Sequence, residues 1–163
     1  MEYVACIGSR LLNFEEQELC YKIWIFLSQK YNVKSANAVG ADQSYAKGVN
    51  YINPKQMYLY LPYKSYNFNA IIQGNNVIYD PKKEWFDIAK KLHFNWQTLS
   101  RGAKSLHARN VGIVEGVKFI VAFPNKAYGG GTAMGIRIAE INNIPVYNLR
   151  IDKDREYFKS LVL

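Results

Sequence analysis

Residues 119–149 read FIVAFPNKAYGGGTAMGIRIAEINNIPVYNL, and this stretch decides the fold. Its apolar run at 119–123 is short and β-branched, which is typical of a buried strand. Three glycines then lead into Thr132 and a helical pattern of apolar residues, after which a second apolar strand is predicted at 144–149. The stretch therefore predicts strand, glycine turn, helix and strand, which is one βαβ unit.

The glycine turn is itself a candidate ligand site. Gly129, Gly130 and Gly131 have no side chains, so their backbone N–H groups can approach a ligand closely. Thr132 stands where the helix is predicted to begin, and the N-terminal end of a helix favours an anion. A glycine turn that only reverses the chain is the simpler interpretation, and both interpretations stay open at this point.

The composition is that of a globular domain with an excess of positive charge. The 163 residues suit one domain, with 49% hydrophobic and 21% charged residues. The formal net charge of +8 favours an anionic partner such as a phosphate, a nucleotide or a nucleic acid, although the lysines are scattered. Cys6 and Cys20 are too few for a disulfide framework or a zinc site, so we expect no metal and two cysteines packed as small apolar residues.

We expect a cytoplasmic protein that does not enter a membrane. No run of about eighteen apolar residues predicts a membrane span, and no basic leader precedes the first predicted strand. Abundant Asn, Lys, Ile and Tyr indicate an AT-rich coding genome, such as that of a phage or a low-GC bacterium. For a phage-encoded protein the compartment would be the host cytoplasm.

Strands and helices alternate along the chain, which indicates an α/β domain with a parallel sheet. Residues 63–76 lack a clean period and are predicted as a loop with a short helix, of a length that is usually functional or mobile. The other predicted strands lie at 3–7, from 33 and at 56–62, and the other predicted helices at 13–31, 41–51, 81–94, 101–117 and 152–161.

Three loops should meet at one edge of this sheet, because the carboxyl ends of parallel strands share an edge and ligands bind there. They contain Gly8, Ser9 and Arg10 after the first strand, Gly40 and Asp42 after the second, and the glycine turn described above. Arg10 can pair with a phosphate in a bidentate fork, and Ser9 can donate its hydroxyl. Asp42 would accept a ribose hydroxyl or a base N–H, or would only cap the helix that follows.

The helix predicted before the glycine turn carries further candidates, namely Lys104, His107, Arg109 and Asn110. His107 can act as a general acid or stack on a base, but a lone histidine on a helix also suits a surface or packing role. His93 has no predicted partner and is interpreted as structural.

Missing motifs exclude several enzyme classes. The sequence contains no GxxxxGK[ST], so it is not a P-loop NTPase, and it contains neither HExxH nor GxSxG. Three consecutive glycines do not fit GxGxxG, which argues against a dinucleotide dehydrogenase. We therefore expect no cofactor.

The three loops together resemble those of the SLOG superfamily. IGSR after the first strand, NAVGAD after the second and GGGT after the apolar strand follow the order and spacing of that group. The group includes the Rossmann-like domain of DNA-processing protein A, the LOG phosphoribohydrolases and the YspA-like proteins. The segment KSLHARNVGIVEG and the stretch after it look like small phage-borne members. The resemblance spans residues 3–149. It implies a single α/β domain over 1–163, a Rossmann-like three-layer sandwich with a mostly parallel central sheet.

The resemblance also implies a function and a set of contacts. Such domains bind nucleotides or nucleotide-derived ligands at the glycine loops. LOG-type domains commonly pair through helices beside the sheet, so the helices predicted at 81–94 and 101–117 are the candidate faces of a homo-oligomer, and the oligomeric state itself stays open. The implied ligand contacts are Gly8, Ser9, Arg10, Gly40, Asp42, Arg109, Asn110, Gly130, Gly131 and Thr132.

The catalytic residues of the LOG enzymes are only partly matched. Those enzymes use an arginine on the preceding helix, which Arg109 matches, and a glutamate just after the glycine–threonine turn, where this chain has Met134 and Gly135. Without that carboxylate, N-glycosidic cleavage should slow by about two or more powers of ten. Asp42 or Glu140 would replace it only if the fold turned it inward, so Arg109 and Asp42 are the candidate catalytic residues of an enzyme.

Three hypotheses follow from the sequence. The first is a protein that binds a nucleotide-type signalling ligand, linear or cyclic, which a phage-borne copy would sequester against host immune signalling. In it, Tyr60, Tyr63, Tyr66 and Phe68 form a stacking lid or are ordinary core and surface aromatics. The second is a nucleoside 5′-monophosphate phosphoribohydrolase. The third is a single-stranded DNA-binding protein, after the DNA-processing relatives and the positive charge.

Overall fold

A computed structural model describes residues 1–125 and 130–162 of the chain. Within these residues, six strands form one central sheet in which every neighbouring pair is parallel. The strands are β1 (Tyr3–Gly8), β2 (Asn32–Ser35), β3 (Met57–Tyr60), β4 (Asn76–Ile78), β5 (Ile120–Phe123) and β6 (Val146–Asn148). Their order across the sheet is β4-β3-β2-β1-β5-β6.

The order of the strands creates a topological switch point beside β1. The chain runs outward from β1 to β4 and then returns to the opposite side of β1 as β5 and β6. In open α/β sheets, ligands bind in the crevice outside the carboxyl ends of the strands where the order reverses. The strand order therefore predicts a ligand site at the loops after β1, β2 and β5.

Helices cover both faces of the sheet. The first face packs against α1 (Phe14–Leu27), α2 (Ala41–Ile52) and α6 (Asp152–Val162), and the second against α3 (Lys83–Leu92), α4 (Arg101–Val114) and α5 (Gly130–Ile141). This arrangement confirms the predicted three-layer α/β sandwich. In the described part of the chain, no helix has both the length and the apolar character needed to cross a bilayer.

Strand alternation distributes the core between the two faces. In β1, Val4 and Cys6 pack against the helices of the first face, whereas Ala5 and Ile7 pack against those of the second. Cys6 and Cys20 are buried and not bonded to each other, as the sequence predicted. Burial raises the pKa of both thiols because it disfavours the thiolate, so they act as small apolar groups.

The structure departs from the prediction in the middle of the chain and at three helix ends. The short helix predicted within 63–76 is a 3-10 turn over Phe68–Ala70, and it is followed by the edge strand β4, which was not predicted. Helix α1 ends at Leu27 rather than near residue 31, and α3 begins at Lys83 rather than at Pro81. Asp152 is the first residue of α6 instead of its cap, and it pairs with Arg155.

The contact between α1 and α2 depends on a glycine. A Cβ atom added at Gly48 would lie 2.4 Å from the Tyr21 carbonyl oxygen and 3.1 Å from Trp24 Cβ. These distances are too short for real contacts, so a side chain at this position would push the two helices apart. The packing matters for function because α2 begins at the loop after β2.

We expect Gly48→Ala to lower the free energy of unfolding by about 1–3 kcal/mol, because it overpacks the α1–α2 contact. Gly102→Ala is the matched control, since nothing lies within 4 Å of a Cβ added there. In that exposed helical position alanine should leave stability unchanged or raise it by up to ~1 kcal/mol. Urea unfolding followed by circular dichroism measures both, and equal midpoints for the two variants would contradict the close contact.

Candidate functional site

The three predicted loops converge on one cavity of about 620 Å³ at the carboxyl edge of the sheet. We call it the first cavity. Its walls include the loop after β1, the loop after β2, the middle of α4 and the first turn of α5. Nine of the predicted ligand-binding residues line it, namely Gly8, Ser9, Arg10, Asp42, His107, Arg109, Asn110, Gly131 and Thr132.

Of the other four predicted residues, Gly129 lies outside the described residues, and Gly130 is described only as the first residue of α5. Lys104 and Gly40 do not line the cavity. Lys104 lies with its ammonium 5.6 Å from the centre of the Trp96 ring instead. Gly40 lies behind the loop after β1, where its role is to allow close packing.

Backbone hydrogen bonds fix the loops after β1 and β2 against each other. The Ser9 N–H donates to the Phe123 carbonyl at 2.9 Å, and the Ala41 N–H donates to the Ser9 carbonyl at 3.0 Å. Gly40 has a φ of +89°, and a Cβ there would lie 2.7 Å from the Ser9 carbonyl oxygen. Only glycine combines this backbone conformation with this proximity, so Gly40 brings the start of α2 against the loop after β1.

The side chain of Arg10 is available for an anion. It is exposed and lines the first cavity, and it makes no hydrogen bond or ion pair with any residue in 1–125 or 130–162. Gly131 and Thr132, in the first turn of α5, line the same cavity. The N-terminal end of a helix carries partial positive charge, so it and the guanidinium favour a negatively charged group between them.

Arg109 is buried and binds the ends of two strands. Its Nη1 donates to the carbonyl oxygens of Ala36 at 2.8 Å and Tyr60 at 3.1 Å, and its Nε donates to Asn110 Oδ1 at 3.2 Å. The guanidinium also lies 5.2 Å from the centre of the Tyr66 ring. These bonds occupy Nη1 and Nε, so Arg109 joins α4 to β2 and β3.

Asn110 extends this connection to α5. Its Nδ2 donates to the Gly131 carbonyl at 3.2 Å, while its Oδ1 accepts from Arg109. The two neighbouring residues of α4 therefore connect three of the elements around the cavity. Sequence reasoning identified both residues as ligand contacts, whereas these hydrogen bonds also make them structural.

Asp42 is a buried carboxylate in the wall of the cavity. Its Oδ2 accepts from the Ala38 N–H at 3.3 Å, and its Oδ1 has no partner at hydrogen-bond distance and angle within the described residues. Burial raises the pKa of Asp42 to about 7, against the opposing effects of the Arg109 guanidinium and of the Ser35 hydroxyl, which lies close enough to the carboxylate to lower its pKa. Asp42 is the one carboxylate among the described lining residues. Because its pKa is about 7, it can accept or donate a proton near neutral pH.

His107 has a partner that the sequence did not reveal. Its ring lies 4.6 Å from that of His93, centre to centre, and His93 also contacts Trp96. His93, for which the sequence offered no partner, therefore packs beside His107 and Trp96. Burial lowers the pKa of His107, helped by His93 and Arg109, so the neutral imidazole is favoured in the cavity.

Other lining residues were missed by the sequence reasoning. Leu11 and Val39 expose 80% and 54% of their surface at the cavity and form apolar contact surface there. No sequence pattern distinguishes Leu11 and Val39, because they are notable only for their exposure.

The predicted aromatic lid is divided: Tyr66 lines the first cavity, with the Tyr63 ring packed edge-on against it, but Tyr60 packs against Trp85 in the second helical layer. Phe68 is not among the described lining residues of the first cavity, so it is not part of a lid over it.

Solved structures of two kinds share this fold. DNA processing protein A from Helicobacter pylori, described for its unique single-stranded DNA binding mode, has a TM-score of 0.64 at 16% identity over 90% of this chain. The molybdenum cofactor binding protein from the phototrophic bacterium Rippkaea orientalis has a TM-score of 0.62 at 16% identity, over 99% of this chain and 84% of that one. The molybdenum cofactor carrier protein from Chlamydomonas reinhardtii has a TM-score of 0.62 at 14% identity, over 98% of this chain and 84% of that one.

These comparisons establish the fold. The chain spans 64% of the length of the DNA processing protein A chain that it matches. No protein-family model and no curated protein matches the sequence. At identities of 14–16% the likeness shows the fold alone. It confirms the predicted Rossmann-like α/β architecture.

The pKa of Asp42 makes stability depend on pH in a defined direction. Because the native pKa of about 7 lies above the ordinary aspartate pKa of 3.8, the native state binds more protons than the unfolded state between those two pH values. Asp42 therefore destabilises the fold progressively as the pH rises from 4 to 7. We expect Asp42→Asn to gain stability relative to the wild type over this range, by up to ~4 kcal/mol at ~1.4 kcal/mol per pKa unit.

Urea unfolding of the wild type and Asp42→Asn at pH 4, 6 and 8 measures this difference. Asp87→Asn, which removes an exposed carboxylate of α3, is the control and should follow the wild type. Parallel curves for the wild type and Asp42→Asn would show that the carboxylate of Asp42 is solvated, contrary to the structure.

Proposed function

We propose that the protein binds a nucleotide or a nucleotide-derived ligand in the first cavity. One observation carries the proposal: the guanidinium of Arg10 and the first turn of α5 lie around the same cavity as Asp42. Among the residues that the structure describes, Arg10 is unpaired and Asp42 Oδ1 accepts no hydrogen bond. The first two groups suit a phosphate, and the third suits a hydroxyl or base N–H that donates a hydrogen bond. A phosphate joined to a hydrogen-bond donor is the chemistry of a nucleotide.

The size and surface of the cavity fit such a ligand. A volume of about 620 Å³ lies within the range of small-molecule sites. The exposed side chains of Leu11 and Val39 offer apolar surface to a base, and the Tyr66 ring lies in the wall beside them. The net charge of +8 attracts anions to the surface in general.

The residues after the glycine turn favour binding over cleavage. Met134 is buried, and Gly135 packs so closely that an added Cβ would lie 2.8 Å from Ile7 Cδ1. Glu140 is exposed and is not among the described lining residues. The cavity therefore lacks the second carboxylate that the LOG enzymes place after this turn. Sequestration of a signalling nucleotide by a phage-borne copy, a cytoplasmic location and the homo-oligomer stay predictions.

Cleavage of a nucleoside 5′-monophosphate is the second candidate function, and Asp42 is the observation that favours it. A carboxyl group with a pKa of about 7 can donate a proton to a leaving base at neutral pH. With Asp42 as the one described carboxylate of the cavity, water activation would lack a separate base. We therefore rank cleavage below binding.

Binding of single-stranded DNA is also compatible with the fold. DNA processing protein A from Helicobacter pylori is described for that property, and the net positive charge suits a polyanion. A groove with several stacking aromatics is the usual requirement, and the described lining residues of the first cavity include two aromatic rings, those of Tyr66 and His107. Single-stranded DNA therefore ranks below a small nucleotide.

The contribution of Arg10 is the direct test of binding. We expect calorimetry against the four nucleoside 5′-monophosphates to find at least one that binds more tightly than its nucleoside. Arg10→Ala should reduce the affinity for that nucleotide by ~10- to 100-fold, which is the contribution of a charged hydrogen bond, and should leave the affinity for the nucleoside unchanged. Lys22→Ala, which removes an exposed charge on α1, is the control. Equal affinity for nucleotide and nucleoside in the wild type would contradict a phosphate site at Arg10.

Cleavage is tested with the same nucleotides by chromatography for free base. We expect no base release above the rate without protein, because a second carboxylate is missing. If base is released, Asp42→Asn should reduce the rate by ~100-fold or more, since it removes the proton donor. Release that survives Asp42→Asn would exclude Asp42 as the catalytic acid.

A further inference from the structure

A second cavity of about 630 Å³ adjoins the first. Consecutive residues divide between the two: Ala38 lines the first and Asn37 the second, while Tyr66 lines the first and Asn67 the second. The two stretches that separate the cavities follow the carboxyl ends of β2 and β3. The cavities therefore adjoin at the carboxyl ends of β2 and β3, and from there the second cavity extends along α2 as far as Asn50.

Two asparagines build the wall between the cavities. Asn37 Nδ2 donates to the Asn67 carbonyl at 3.0 Å, and Asn67 Nδ2 donates to the Asn37 carbonyl at 3.0 Å. Both residues have positive φ, 59° and 45°, a conformation that costs energy outside glycine. This reciprocal pair stabilises two strained positions and joins the loop after β3 to the loop after β2. Such strain persists where a surrounding structure specifies it, commonly at ligand sites.

The second cavity presents groups that suit a nucleobase and its phosphate. The side-chain amide of Asn69 and the ammonium of Lys47 make no hydrogen bond or ion pair within the described ranges. Phe68 exposes 68% of its surface at the same place. An amide offers a paired donor and acceptor that match a base edge, an exposed ring stacks on a base, and an ammonium pairs with a phosphate.

An unpaired polar atom and the charge of the lining residues restrict the chemical class of ligand that fits the second cavity. Asn37 is fully buried in the wall, and its Oδ1 has no partner among the described residues. A buried acceptor without a donor is unfavourable, so a ligand that supplies one would stabilise this wall. No Asp or Glu is among the described lining residues of the second cavity, whereas Lys47 is. The lining residues of the second cavity therefore suit a neutral base joined to an anionic linkage, and they do not suit a cation.

We propose that the second cavity binds the second nucleotide unit of a phosphodiester-linked ligand whose first unit occupies the first cavity. This inference rests on the proposed function and specifies its ligand class. A linear dinucleotide, a cyclic dinucleotide and a short single strand share this chemistry. They differ in the number and arrangement of phosphodiester bonds: one bond in a linear dinucleotide, two bonds that close a ring in a cyclic dinucleotide, and a continuing chain of bonds in a single strand.

The experiment compares linked and unlinked probes by calorimetry. The probes are the four nucleoside 5′-monophosphates, their linear and cyclic homodinucleotides, and DNA decamers of one base. For at least one base, we expect a linked probe to bind the wild type ~10-fold or more tightly than the monophosphate, in line with the contribution of one stacked base. The class of probe that gains most identifies the source of the ligand.

Two variants test whether contacts in the second cavity cause the higher affinity of the linked probe, which we call the gain. Phe68→Ala and Asn69→Ala should each reduce it to about twofold or less, because each removes a contact to the second base, and should leave monophosphate affinity unchanged. Phe94→Ala is the matched control, since Phe94 is 91% exposed and is not among the lining residues described for either cavity. It should retain the whole gain.

The outcomes separate this inference from the proposed function. Monophosphate binding without a gain for any linked probe overturns the inference and leaves the function intact. A gain that survives both Phe68→Ala and Asn69→Ala also overturns it, because the second unit would then lie elsewhere. Failure of every probe to bind contradicts both.

Discussion

The buried guanidinium of Arg109 is the interaction on which the rest of the site depends. A charge with 6% exposure is unfavourable unless its N–H groups find acceptors. Here they find the carbonyl oxygens at the ends of β2 and β3 and the side chain of Asn110. A cation at this place binds the strand ends from which the ligand loops depart. The geometry of both cavities is therefore tied to one side chain of α4.

The same burial explains the state of Asp42. Removing a carboxylate from water disfavours its charge, and the Arg109 guanidinium opposes this effect without forming a close ion pair with it among the described contacts. The result is an acid whose pKa of about 7 lies near neutral pH and whose Oδ1, in the wall of the first cavity, accepts no hydrogen bond from the residues that the structure describes. A fold that gained only stability from this position would place an apolar residue there. The unsatisfied oxygen is instead consistent with a ligand that supplies a donor.

Local patterns were sufficient to predict the fold and the loops. Two of the glycine-containing loops follow apolar runs that indicate strands, and the third follows the short strand predicted from residue 33. Parallel pairing of these strands alone brings Ser9, Asp42 and Gly131 to one edge. Features that depend on distant parts of the chain were not predictable. Strand β4 has three residues and exists because it pairs with β3. The contact between His93 and His107 arises because α3 packs against α4. Lys104 lies over Trp96 because the segment that joins these two helices packs back against α4.

The central claim is that three loops form one site for a nucleotide-type ligand. Backbone amide chemical shifts of the isotope-labelled protein, followed during titration with nucleoside 5′-monophosphates and dinucleotides, test it most directly. The account predicts that the largest shifts fall at residues 8–10, 38–42 and 131–132 together and saturate in parallel. Shifts confined to other surfaces, or shifts in one loop without the other two, would contradict it.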